Sequence, residues 1–241
     1  MNRILLLCLW LCLPSLYAQN ITVGTTSDYP PFSSLADKKN HFFGFDVDIM
    51  SEVCKRIKQN CLFKPFTFNQ LFTQIKSGGI DLAIAAITIT TELQQSFLFS
   101  YPYLESNAQF MTLADSAIKT PGDINHKKIG VRQGTAFKTL AINLYKDQVT
   151  ILEYPEISDL LDNLANKNVD IILVNALAAK SWEANNDNVY KLIGTDIPIG
   201  KGYGIMANTG KEPLIQQINQ ALLDIESDGT YLKIFNRYFA P

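Results

Sequence analysis

The feature that most narrows the fold is a unit that occurs twice. Residues 69–90 read NQLFTQIKSGGIDLAIAAITIT, and residues 158–179 read SDLLDNLANKNVDIILVNALAA. Each runs from a helical pattern through a polar turn to an aspartate, Asp81 or Asp170, and then into an apolar strand. A strand that is apolar almost throughout suits a parallel sheet covered on both faces. Strands alternating with helices imply parallel sheets, and two such systems imply two α/β lobes.

The remaining elements follow the same grammar. A strand is expected at 21–25, followed by the turn-rich SDYPPF. Asp46 can cap a helix whose apolar positions Val47, Met50, Cys54 and Ile57 recur at helical spacing. Asn69 can cap the next, with Leu71, Phe72 and Ile75 inward and Ser77-Gly78-Gly79 as its end. A strand is expected over 81–89, and Thr91 with Gln94 forms a candidate capping box after it. A strand over 127–131 leads to the tight turn Gln133-Gly134-Thr135, and another lies near 203–207. Two final helices, 212–227 and 230–238, break at Asp228-Gly229.

The first residues, MNRILLLCLWLCLPSLYAQN, carry an early cation at Arg3, an apolar run over 4–13, Pro14 and a small Ala18. This is the layout of a secretory signal peptide, here 1–18, with the cut expected at Ala18–Gln19. The apolar run is short for a bilayer span; the alternative is a buried N-terminal helix. Export and cleavage leave Cys54 and Cys61 as the cysteines of the mature chain. In an oxidising compartment they form one disulfide or remain as two buried thiols. Neither His41 nor His126 neighbours them in sequence, so no metal site is expected. With 47% hydrophobic residues the chain can bury a normal core, as one large domain or two of about 100 residues. A formal charge of -2 gives no electrostatic argument for nucleic acid.

The exit of the first apolar strand, DLAIAAITITTELQQSFLFS over 81–100, raises a chemical question. A helix start after such a strand suits an anion, because first-turn N–H groups point outward and the helix dipole favours negative charge there. Yet no lysine or arginine occurs between Lys76 and Lys119.

Taken together, TVGTTSDYPPF, GFDVDIMSEVCKRI, DLAIAAITIT, SYPY, KIGVRQGT and the terminal SDGTYLKIFNRYF resemble the periplasmic polar amino-acid-binding proteins. These are the extracytoplasmic receptors of ABC importers, and the likeness is greatest to the lysine, arginine, ornithine and histidine branch. The resemblance covers essentially the whole mature chain. It implies an α/β Venus-flytrap of two lobes, each a mostly parallel sheet flanked by helices, joined by two hinge strands. Lobe 1 would comprise 19–105 plus 203–241 and lobe 2 would comprise 106–202, with crossings near 105–107 and 201–203. It also implies a Cys54 to Cys61 disulfide, a monomer in the periplasm, a small-molecule ligand and an inner-membrane ABC permease as partner, with no cofactor.

Carried over position by position, the family's site matches only in part. Tyr29 and Phe68 fall where aromatic residues clamp the ligand's side chain in relatives; core packing is the plainer alternative for Phe68. Ala86 and Thr88 match positions that meet the ligand through backbone and hydroxyl. The arginine that grips the ligand's α-carboxylate is replaced by Leu93, and the aspartate that pairs with its α-ammonium by Asn175. A carboxylate-holding threonine becomes Ala136, beside Thr135, and an aspartate that reads a cationic side chain becomes Thr26. Charge-assisted hydrogen bonds contribute roughly 1.5–3 kcal/mol each, so losing two should cost several orders of magnitude in affinity. Arg132 falls at a cleft-facing place that another branch fills with lysine. It supplies the missing positive charge or latches the closed lobes through a carboxylate.

The leading function is therefore a non-enzymatic receptor for a small polar solute, an amino acid or similar compound with non-standard head-group recognition. An enzyme on the same scaffold, like the periplasmic cyclohexadienyl dehydratases, is the alternative, along with a ligand sensor in signalling. An enzyme needs a placed acid or base. Expected titratable groups in the cleft are few: Glu92, Glu153 and Tyr29.

Overall fold

A computed structural model of the chain describes residues 20–37 and 41–239. The expected signal peptide lies outside them. One five-stranded sheet has the order Asn60–Pro65, Asn20–Thr25, Leu82–Ala83, Met206–Ala207, Leu98–Phe99. Its first three strands are parallel, and Met206–Ala207 runs against both neighbours. The other has the order Thr150–Tyr154, Lys128–Arg132, Ile171–Asn175, Asn107–Leu113, Tyr190–Pro198. Again three strands are parallel, and the fourth runs antiparallel to both neighbours. Helices flank both sheets, giving the two-lobed α/β architecture. A small antiparallel sheet of Asp28–Tyr29, Ser33–Leu35 and Phe42–Phe43 sits beside the first.

The duplicated aspartates have a shared task. Asp81 accepts from Thr22 N at 2.9 Å, and Asp170 accepts from Lys128 N at 2.7 Å. Each carboxylate thus ties the start of its own strand to the start of the neighbouring parallel strand. Apolar residues of both sheets share one large core, with Val23, Leu82, Met111 and Val174 among its members, and two smaller cores lie apart from it. Phe68, Leu71, Ile75 and Ala83 lie in one, and Phe110, Ile129, Val131 and Leu173 in another.

The chain passes between the sheets twice, and the two passages are hydrogen-bonded to one another. Tyr103 N donates to Tyr203 O at 2.9 Å, Tyr203 N to Leu104 O at 2.8 Å, and Ile199 N to Ser106 O at 3.0 Å. Cys54 and Cys61 are joined in a disulfide, tying the helix Phe45–Arg56 to the strand Asn60–Pro65.

Several local expectations give way to tertiary context. The helix Phe45–Arg56 starts at Gly44, and Asp46 does not cap it. Its carboxylate instead accepts from Ala86 N at 2.7 Å and from Tyr103 OH at 2.9 Å. Thr67, not Asn69, caps the helix Phe68–Ser77, in a capping box with Gln70. The strand expected over 81–89 is regular only at Leu82–Ala83, and Ala86 takes a φ of +48°. After it comes a single 3-10 turn, Leu93–Gln95, in which Thr90 Oγ1, not Thr91, accepts from Leu93 N at 3.2 Å. The helix start proposed as an anion site is therefore one short turn. The strand expected near 203–207 is reduced to Met206–Ala207, and Tyr203 makes isolated bridges to Thr88 and Leu104.

Candidate functional site

The ends of the central parallel strands open on a cavity of about 740 Å3, the usual place for a ligand in open α/β sheets. Residues 85–93 wall it on the side of the first sheet, and Arg132, residues 134–140 and Asn175 on the side of the second. Residues 199–201 and Tyr203, from a passage between the sheets, complete it. Of the expected site residues, Tyr29, Phe68, Ala86, Thr88 and Leu93 line one side. Arg132, Thr135, Ala136 and Asn175 line the other. Thr26 does not: it is fully buried and its hydroxyl is 2.9 Å from Ser33 Oγ.

The backbone at this wall is set from behind. Asp46, fully buried, holds the N–H of Ala86 and so fixes the turn at positive φ that leads the chain out of its strand. Burial pushes the Asp46 carboxyl up to about 7, against the lowering effect of the Tyr103 and Ala86 hydrogen bonds. Against the same wall, Gly200 at φ +64° leaves no room for a Cβ, which would meet Thr88 Cγ2 at 2.4 Å and Ile89 O at 2.6 Å.

Asn175 is occupied by the protein itself. Its Oδ1 accepts from Leu177 N at 2.8 Å and Ala178 N at 3.2 Å, capping the helix Ala176–Asn185. Its amide nitrogen donates to Tyr203 OH, and its backbone N–H donates to Tyr29 OH at 3.3 Å. Burial raises the Tyr29 and Tyr203 hydroxyls well above the usual phenol range, so both remain protonated partners. At the rim, Lys138 pairs with Glu153, and Lys201 Nζ donates to Gln94 Oε1 at 2.7 Å. Glu92 and Glu153 both line the cavity.

Arg132 is the unusual group. It is only 2% exposed. Its guanidinium carbon lies 5.3 Å from the Tyr29 ring centre and 4.9 Å from that of Phe68. Such cation–ring contacts contribute about 0.5–2 kcal/mol each, more when desolvated. Nη2 stands 3.9 Å from Asp28 Oδ1 and 3.9 Å from Glu156 Oε2, within ion-pair reach but beyond hydrogen-bonding distance. Nε, Nη1 and Nη2 are all buried without a hydrogen-bond partner among the described residues, and so is Asp28 Oδ1. Burial lowers the Arg132 pKa, while Asp28, Tyr29 and Glu156 hold it up.

Other contacts seal the same seam. Asp28 Oδ2 accepts from Ile157 N at 3.2 Å, Ser158 N at 3.4 Å and Ser158 Oγ at 3.4 Å, at the start of the helix Ile157–Ala165. A carboxylate there complements the helix dipole. Trp182 Nε1 donates to Pro30 O at 3.0 Å, and its ring centre is 6.0 Å from that of Tyr29. Sequence reasoning missed Asp28, Asp46, Glu156 and Tyr203 as members of this neighbourhood. An aspartate directly before the aromatic turn was the one available signal.

Residues 21–241 match the model of the bacterial extracellular solute-binding proteins, family 3. The arginine-binding periplasmic protein of Mannheimia haemolytica is 31% identical over 242 residues, covering 99% of this chain and 98% of that protein. A putative ABC transporter arginine-binding protein of Escherichia coli (strain K12) is 28% identical over 226 residues, covering 92% and 91%. Among solved structures, the arginine 3rd transport system periplasmic binding protein from Legionella pneumophila superposes with a TM-score of 0.89 at 41% identity. That match covers 91% of this chain and 99% of the other. The two sheets, the cavity at their strand ends and these matches agree: the chain belongs to family 3 of the bacterial extracellular solute-binding proteins.

Proposed function

We propose that this protein is the periplasmic receptor of an ABC importer, a monomer reaching the periplasm through its signal peptide. It closes two lobes on a small amino acid or amino-acid-like solute and presents it to an inner-membrane permease. The observation that carries this reading is the cavity walled from both sheets, where threonine and tyrosine hydroxyls alternate with charged and amide groups. Binding, not catalysis, suits such a site: Glu153 is already paired with Lys138, and the strongly shifted carboxyl, Asp46, is buried behind the wall.

The relatives named for arginine put basic amino acids first among candidates, and the lining residues argue against an ordinary zwitterion. Leu93 and Asn175 stand where the family resemblance expects an arginine and an aspartate, and Asn175 is committed to its helix cap and to Tyr203. The nitrogens of Arg132 are covered, which supports a latch over a partner for the solute's anion. The solute's head group is left to Thr88 and to backbone along residues 87–93, since Ala86 N is held by Asp46 and the Thr135 hydroxyl donates to Arg132 O.

Native mass spectrometry of the purified protein identifies a co-purifying solute, and isothermal titration tests the head-group reading. Free lysine, arginine, histidine and glutamine should bind weakly or not at all. Leu93→Arg with Asn175→Asp should create amino-acid affinity, and the aspartate keeps a helix-capping oxygen in place. Tight binding of an ordinary L-amino acid by the unmodified protein would sink the head-group reading.

A further inference from the structure

The surroundings of the Arg132 guanidinium have the chemistry of a receptor for such a group. Two ring faces lie near it, one from Tyr29 and one from Phe68, at 5.3 and 4.9 Å from the central carbon. Two carboxylates, Asp28 and Glu156, stand at ion-pair distance from the same nitrogen. A planar, delocalised and weakly hydrated cation suits this combination better than a compact ammonium does. Arg132 closes the strand Lys128–Arg132 of the second sheet, whereas Tyr29, Phe68 and Asp28 belong to the segments around the first. The side chain therefore reaches across the cleft from one half of the molecule into a slot built mainly by the other.

The fit is incomplete in an informative way. Every guanidinium nitrogen lacks a hydrogen-bond partner, and so does the Asp28 oxygen that faces it. A buried cation held by rings and by charges just out of bonding range is placed for occupancy more than for stability. Around it the seam is otherwise shut. Asp28 also sits on the helix start at Ile157, Trp182 bonds Pro30, and the open space at Gly134 is closed by Asn69, 1.9 Å from where a Cβ would sit.

We propose that Tyr29, Phe68, Asp28 and Glu156 form a guanidinium-recognition subsite that the protein fills with its own Arg132. The side chain is an internal ligand: it draws the two halves together in the absence of solute and bars cationic side chains from this slot. The inference rests on the reading of the cleft as the solute site. Its consequence for specificity is that the incoming solute occupies the remaining cavity along residues 85–93, not the space between the rings.

Agmatine, which carries a guanidinium and no carboxylate, is the probe that isolates the slot from any question of head group. Titration calorimetry of the full mature chain should show at least tenfold tighter agmatine binding by Arg132→Ala than by the unmodified protein. Small-angle scattering without solute should show the alanine variant expanded relative to the unmodified protein, and Arg132→Lys, which keeps a cation, closer to the latter. Arg132→Ser takes the same two measurements if the alanine variant does not fold. Agmatine affinity unchanged by removing the arginine overturns the proposal, and so does an unchanged solute-free scattering profile. Neither readout depends on the natural solute, so failure here is separate from failure to find one.

Discussion

Asp46 shows how one residue links sequence, stability and site. A carboxyl raised to about 7 by burial holds its proton in the fold at pH values where an unfolded chain has released it. The folded state then binds more protons than the unfolded one between about pH 4 and pH 7, so this group makes stability fall as pH rises through that window. Its contribution is most favourable below the unfolded value and is lost as pH passes the folded one. Asp46→Asn keeps an acceptor for Ala86 N and offers a donor toward Tyr103. Urea denaturation at pH 5 and pH 8 should show the unmodified protein losing stability relative to this variant, by roughly 2–3 kcal/mol between the two. A parallel pH dependence in both proteins would contradict the assignment. None of this was legible in the sequence, where Asp46 beside a helical pattern reads as a cap. Its partners, Ala86 and Tyr103, lie 40 and 57 positions away.

Elements divide by how locally they are determined. The helix Glu212–Ser227 agrees with its sequence limits because apolar spacing, Pro213 near its start and Asp228-Gly229 at its end all act within the element. The segment 84–97 was misread for the opposite reason. An apolar run and a Thr-to-Gln spacing suggest strand then helix, yet contacts with Asp46, Gly202 and Lys201 impose a turn and a short 3-10 segment. The cavity lining was legible where the family pattern fixes position, as at Tyr29 or Thr88. The guanidinium slot was not, because Arg132 meets Tyr29 and Phe68 only through the closed tertiary fold. The disulfide stiffens the first parallel pair by bridging helix and strand over a separation of seven residues. Replacing both cysteines with alanine should cost about 2–3 kcal/mol of unfolding free energy, read from denaturant midpoints under non-reducing conditions. An unchanged midpoint would show that packing alone fixes the turn.

At the scale of the molecule, we propose that residues 19–105 with 203–241, and residues 106–202, move as two nearly rigid bodies about the paired passages. Saturation with the natural solute should raise the melting temperature by linkage. Solute should also protect amides near 105–107 and 201–203 from hydrogen exchange. Uniform protection across both bodies, with none concentrated at the passages, would count against rigid-body closure. The hydrogen bond from Ile199 N to Ser106 O carries a different consequence. The second sheet is drawn from one uninterrupted stretch of chain, and that stretch leaves and rejoins the rest at two adjacent backbone groups. Such an arrangement is a cassette: a gene segment could be exchanged for a related one, or reduced to a tight turn, without rerouting the remaining polypeptide. The wall bearing Arg132 and Asn175 can in that way be replaced as a block, while Tyr29, Phe68 and the first sheet stay with their host.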